Sequence, residues 1–242
     1  MVIPVTQMID IMKQGMQQTV SQMAAETLNE LLKEDAESKR RIFSVKENEK
    51  ILDLKNRIGN LLAVETIPEA IRAEYKDSPD GGDRFIIAGG CFTSILQDSK
   101  PNDYDLFILG YSHDQLNYEN NSIQIELNTI ADIDPSRFAI FDHAGYERNP
   151  NILKTFLDKK TRIQYIFTSY KTRKELVDHF DFVHCCISFD IGKNKLYLSK
   201  ETYDLNMHKM LKKNPTSEKI HQDRINKYVN RGWTRYYEAG TL

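Results

Sequence analysis

Apolar residues recur at three- and four-residue steps through the first third of the chain and in short runs or alternation through the middle, so helices are expected first and a sheet after them. Met8, Ile9, Met12, Met16, Val20, Met23, Leu28, Leu31 and Leu32 give residues 5–36 an amphipathic helical pattern, with Gly15 as its weak point. The sequence Ser44-Val45-Lys46-Glu47 matches a capping box, and Ile51, Leu54, Ile58, Leu61 and Leu62 then place a second helix on one apolar face. Pro68 suits the first turn of a short third helix through Tyr75, which the turn cluster Asp77-Ser78-Pro79-Asp80-Gly81-Gly82 ends.

From Arg84 the pattern changes. Phe85–Ala88 reads as a buried strand, and Gly89-Gly90 after it reads as a turn whose backbone a ligand can approach. Cys91–Leu96 reads as a short helix, and Asp103–Leu109 as a strand carrying Asp103 and Asp105 on one face. Further strands are expected at Ile123–Leu127, Phe138–Phe141, Arg162–Phe167 and Val183–Phe189, the last in a hairpin with Lys195–Leu198. Helices are expected at Thr172–His179, at Thr202–Lys212, and in the stretch that runs from Pro215 to Trp233. The fold class that follows is α/β (α+β), a mixed sheet flanked by helices. A helical N-terminal region (1–80) precedes the core (81–200), and a basic helical tail (201–242) closes it.

Charge adds one feature that periodicity does not. The net charge is −2, but residues 193–235 hold 11 Lys and Arg against 4 Asp and Glu, which leaves +7 there and −9 elsewhere. Arg224, Lys227, Tyr228 and Arg231 fall near one helical face, where cations could grip phosphates and an aromatic ring could stack a base. Taken alone, a basic helix is more often a solvated surface.

The three cysteines, Cys91, Cys185 and Cys186, have no metal-ligand spacing and make no disulfide framework. Cys91 follows the glycine turn at a helix start, where a thiol's pKa can fall, so it is also a candidate nucleophile. No G-x-x-x-x-G-K-[ST] loop and no paired-histidine metal motif is present, which argues against a kinase or phosphohydrolase. No run of about 18 apolar residues suggests a membrane span. The N-terminus lacks the basic region and cleavage site of a signal peptide, so a cytoplasmic location is expected.

The Gly89-Gly90 turn followed by Asp103-x-Asp105 resembles the nucleotidyltransferase fold of the DNA polymerase β superfamily, whose members pair a GG or GS turn with an hDhDh strand. The resemblance implies transfer of a nucleoside monophosphate from an NTP, with Mg2+ or Mn2+ on Asp103 and Asp105. Gly89, Gly90 and Ser94 would hold the β and γ phosphates. It also implies a third carboxylate on a neighbouring strand, and here Gln164 stands at the expected place, a neutral amide that cannot act as a base. Asp181 and Glu126 are the substitutes, with Asp181 taken as the third catalytic residue.

The tail, from QYIF through FDFVHCC to R-x-x-K-Y-x-x-R-G, is similar to one found in nucleotidyltransferase-like proteins of phages and other large viruses, which would place the chain in a host cytoplasm. The expected partners are an NTP and an RNA, protein or small-molecule acceptor, with a protein partner on the N-terminal helices. The departure at Gln164 keeps a second reading open, that of an inactive nucleotide-binding or assembly module.

Overall fold

A computed structural model describes residues 43–63, 67–77, 84–117, 121–142, 149–217, 220 and 222–236. The amphipathic segment expected over residues 5–36 lies outside them. Two compact units, Met1–Asp53 and Leu54–Leu242, divide the chain, with the boundary inside the first described helix, α1 (Val45–Ala63). The capping box forms as expected: Ser44 N–H donates to Glu47 Oε2 at 2.7 Å and Glu47 N–H donates to Ser44 Oγ at 3.4 Å. Helix α2 (Glu69–Asp77) starts directly after Pro68.

The remaining elements build a large mixed sheet flanked by helices. In chain order they are β1 (Phe85–Ala88), α3 (Gly90–Leu96), β2 (Tyr104–Ile108), α4 (His113–Asn117), α5 (Ser122–Ile133), β3 (Phe138–Asp142), β4 (Ile152–Asp158), β5 (Ile163–Thr168), α6 (Arg173–Asp178), β6 (Ser188–Asp190), β7 (Lys195–Tyr197) and α7 (Lys200–Met207). Seven strands join in the order β3-β4-β5-β2-β1-β6-β7. The β2–β5 pair is parallel, and the other neighbours are antiparallel. Ile86, Ala88, Phe107, Leu109, Ile166, Tyr170 and Leu176 are buried together, which fixes β1, β2 and β5 in the centre of the sheet. Burying such side chains contributes about 1.5–3 kcal/mol each, so the acid-bearing strand stands on the best-supported part of the fold.

Three expectations are corrected, and one strand is added. Ile123–Leu127 is not a strand but part of α5, which Asn121 caps by accepting the N–H groups of Ile123 and Gln124 at 3.0 and 3.2 Å. The buried positions Ile123, Leu127 and Ala131 are four apart, so the helical period overrides an alternation that lasts only five residues. Strand β4, not anticipated, is buried on both faces and shifts register between Ile152 and Lys154, which erases the alternation that would have marked it.

Val183–Cys185 is a turn of 3-10 helix rather than the start of a strand. The His184 carbonyl accepts from Asn206 Nδ2 at 2.8 Å and Thr93 Oγ1 at 3.4 Å, so side chains take what a sheet neighbour would have used. The helix expected to reach Lys212 ends at Met207, because Lys209 adopts a positive φ of 50°. Met210–Leu211 then forms β8, which pairs in parallel with β9 (Thr234–Arg235) across the tail helix α8 (Gln222–Val229).

The tail is packed, not splayed. Tyr228 and Trp233 are buried with Phe182, Cys185 and Leu211, and Phe180, Ile220 and Ile225 pack around them. Among the described residues no helix is long and apolar enough to cross a membrane.

Candidate nucleotide and metal site

Strand β1 delivers the chain into Gly89 with φ 89° and ψ −140°, a conformation that L side chains avoid. The Gly89 N–H donates to the Ile187 carbonyl at 3.1 Å, which pins the turn to the strand-6 side of the sheet. Ala88 pairs with Asp105 across the β1–β2 ladder. A Cβ on Gly89 would stand 3.7 Å from Asp105 Oδ2, so the turn runs directly past the carboxylate. Ser94 follows Gly90 by one turn of α3.

Asp103 precedes β2 and Asp105 lies within it, two residues apart and therefore on one face. Gln164 lies in register with Asp105 on β5, and its Nε2 donates to Asp103 Oδ2 at 3.1 Å. Burial, reinforced by the charge of Asp103, pushes the Asp105 pKa up to about 7, while Arg224 and Lys227 pull it down. Those causes put both tail cations in the electrostatic neighbourhood of the acid pair.

Helix α8 also meets the glycine turn. The Tyr228 hydroxyl is 4.0 Å from where a Cβ on Gly90 would stand and lies 3.1 Å from Cys185 Sγ in a hydrogen bond. The Tyr228 ring is enclosed edge-on by Phe182, His184 and Trp233, with centroids 5.4, 4.6 and 5.5 Å away. It cannot stack a base as the sequence suggested, because the tail buries the ring and turns only its hydroxyl toward Gly90. Arg231 falls in the turn beyond α8, where its N–H donates to the Tyr228 carbonyl at 2.9 Å.

The candidate bases and nucleophiles fare differently. Asp181 Oδ2 accepts from Arg224 Nε at 2.7 Å, so its carboxylate is engaged by the tail helix. Glu126 lies on α5, and its carboxylate accepts the N–H groups of Glu69 and Ala70 at 2.8 and 2.6 Å, capping α2 instead of facing β2. Cys91 is buried, and burial first and the Asp105 charge second push its thiol well above the usual range. This overturns its reading as an activated nucleophile. His184 is sealed against Tyr228 and Trp233 with its pKa lowered to about 3, chiefly by burial.

Among the described residues no group of three or more His, Cys, Asp or Glu side chains could hold a metal ion. The donor set is a pair of carboxylates. Asp103 and Asp105 offer two hard oxygen donors on one face, a chemistry that would fit a Mg2+ or Mn2+ ion.

The sequence profile described as Gabija anti-defense 2 family protein matches residues 67–209. No curated protein matches the chain in sequence. Solved structures similar to it include a Thermotoga maritima CCA-adding enzyme complexed with tRNA, at 14% identity and TM-score 0.44, covering 74% of this chain and 42% of that one. A CCA-adding enzyme with CTP is 13% identical at TM-score 0.41, with the same coverage of 74% and 42%. A tRNA nucleotidyltransferase complexed with a primer tRNA and an incoming ATP analog is 15% identical at TM-score 0.35, over 53% of this chain and 35% of that one. The chain thus spans about two-fifths of the length of the first of these enzymes (42%).

Proposed function

The chain belongs to the Gabija anti-defense 2 family, and we propose that it acts against that defence as a metal-dependent nucleotidyltransferase. It would move a nucleoside monophosphate from an NTP to an RNA, protein or small-molecule acceptor. The observation that carries this reading is the approach of the Gly89 backbone to Asp105, with Asp103 on the same face and the tail cations beside them. The family designation and the phage-like tail together support a phage-encoded protein working in the host cytoplasm.

Asp103 and Asp105 would hold Mg2+ or Mn2+, which would supply charge stabilisation for the transferring phosphoryl group. The Gly89-Gly90 turn carries no side chain of its own between its backbone and the phosphates. Arg224 and Lys227 add positive charge on the tail side, and the Tyr228 hydroxyl borders the turn. Gln164 holds Asp103 in place through its amide nitrogen.

Binding without turnover is a second reading, and one observation favours it. The residue in register with Asp105 is an amide, which cannot act as a base, and the Asp181 carboxylate is already engaged by Arg224. Each labelled NTP is to be incubated with the protein, Mg2+ or Mn2+, and total RNA and protein. Label in RNA or protein supports transfer. Nucleotide binding with no labelled product supports the second reading, and no binding at all overturns both.

A further inference from the structure

Asp181 and Arg224 come from two segments that are each held by contacts other than their ion pair. The Asp181 carbonyl accepts the Asn214 N–H at 2.9 Å, and Phe182 beside it forms an isolated bridge to Lys213 and is buried in the tail cluster. Arg224 stands on α8, which the buried Tyr228 and the partly buried Ile225 lock to the same cluster. The carboxylate therefore meets the guanidinium at a set place, with Arg224 Nε 2.7 Å from Asp181 Oδ2.

That contact uses one corner of a planar group with five N–H donors. No other side-chain hydrogen bond engages Arg224 among the described residues, and its side chain keeps 47% of its surface exposed while that of Asp181 keeps 23%. The two terminal amino groups thus have no hydrogen-bond partner among the described residues. Arg224 precedes Tyr228 by four residues and shares its helix face, and the Tyr228 hydroxyl borders Gly90. Arg224 therefore stands on the side of α8 that meets the glycine turn, and its charge acts on Asp105.

We infer that Asp181 is a positioning residue that anchors Arg224 through Nε and presents its two terminal amino groups to the polyphosphate of a bound nucleotide, so that the site selects a triphosphate over a monophosphate. This rests on the nucleotide site proposed above. It assigns Asp181 a role through Arg224 instead of one in proton transfer. Planar, two-pronged recognition of phosphate is what arginine offers and lysine does not.

The test is calorimetric titration with the four ribonucleoside triphosphates and their monophosphates in Mg2+, with thermal denaturation of each variant alongside. Asp181→Ala and Arg224→Ala are each expected to weaken triphosphate binding by about tenfold or more, the usual worth of a charge-assisted hydrogen bond, with monophosphate binding unchanged. The double variant is expected to bind no more weakly than Arg224→Ala alone, because Asp181 acts only through Arg224. Asp181→Asn keeps an oxygen acceptor and is expected to lie within about threefold of wild type, since a neutral acceptor retains much of the bond; it also serves if Asp181→Ala does not fold. Arg224→Lys keeps the charge but loses the fork and is expected to bind triphosphate as poorly as Arg224→Ala.

Triphosphate affinity unchanged in Asp181→Ala overturns the inference, as do losses that multiply in the double variant or full retention in Arg224→Lys. A fall in turnover for Asp181→Asn at unchanged triphosphate affinity would make Asp181 a base instead. If wild type binds neither class of nucleotide, the nucleotide site itself falls, which is a different outcome from a site that binds but ignores Asp181.

Discussion

Gln164 on β5 lies in register with Asp105 on the parallel strand β2. An amide there donates to Asp103 at 3.1 Å and spares the acid pair a third negative charge. Without a cation, three carboxylates in that space would repel each other, and burial, with the Asp103 charge adding to it, already pushes Asp105 up to about 7. The substitution Gln164→Glu is therefore expected to lower the melting temperature in chelator and to give a larger rise on adding Mn2+ than wild type shows. If the amide is also what limits transfer, labelled product should increase, by up to the about 10²–10⁴-fold a general base typically contributes. A variant with unchanged metal response would detach Gln164 from the site.

Asp105 sets a pH dependence of definite sign. Its pKa is raised from 3.8 to about 7, so the folded protein keeps the proton over a range where the unfolded chain has released it. The associated stability is full below about pH 4 and is lost as pH rises through about 7, a term on the order of a few kcal/mol. Mg2+ or Mn2+ needs the ionised form, so the stabilisation it brings should grow over the same range. Melting curves from pH 5 to 8, with and without Mn2+, check this. Asp105→Asn should flatten both trends, and Asp103→Asn with Asp105→Asn should abolish metal-dependent NTP binding.

The two glycines of the turn are expected to fail differently. Gly89 has φ 89° and ψ −140°, so Gly89→Ala forces a strained backbone and should cost stability, about 1–3 kcal/mol, before any effect on binding is considered. Gly90 has no such φ, and its nearest neighbour, the Tyr228 hydroxyl, is 4.0 Å from an added Cβ. Gly90→Val should leave circular dichroism largely intact while its methyl groups occupy the space proposed for phosphate, weakening NTP affinity. Loss of structure in Gly90→Val would make the turn a packing feature.

The elements legible in the sequence were those whose signal is local. Ser44 and Glu47 cap a helix through their own side chains, and the run Phe85–Ala88 followed by two glycines marks a strand and its exit. The opposition of Ala88 to Asp105 then needed only short connections. What stayed hidden depends on residues far apart in the chain. Glu126 caps a helix 56 and 57 positions away, and the carbonyl of His184 is claimed by Asn206, which turned an apparent strand into 3-10 helix. The apolar run of β4 could not announce itself, since burial on both faces removes alternation. Tyr228 shows the same limit within the site. Helical spacing put it with the cations, but whether its ring faces solvent or core depended on Trp233 and Phe182 closing over it.

His184 is the acid-side counterpart of Asp105. Its ring is fully buried, with Trp233 4.2 Å and Tyr228 4.6 Å away by centroid, and neither ring nitrogen has a hydrogen-bond partner among the described residues. Burial, and then the nearby Arg224 charge, lower its pKa from 6.5 to about 3. The folded protein thus holds a neutral imidazole where the unfolded chain takes up a proton. Stability from this group is complete above about pH 6.5 and falls as pH drops toward 3. Because the ring packs on Trp233, indole fluorescence should report the tail cluster loosening in that window. His184→Phe keeps an aromatic ring and removes both unpartnered nitrogens, so it should leave stability at pH 7 unchanged or higher and blunt the acid loss relative to wild type. An equal acid response in the two proteins would assign that limb to the carboxylates instead.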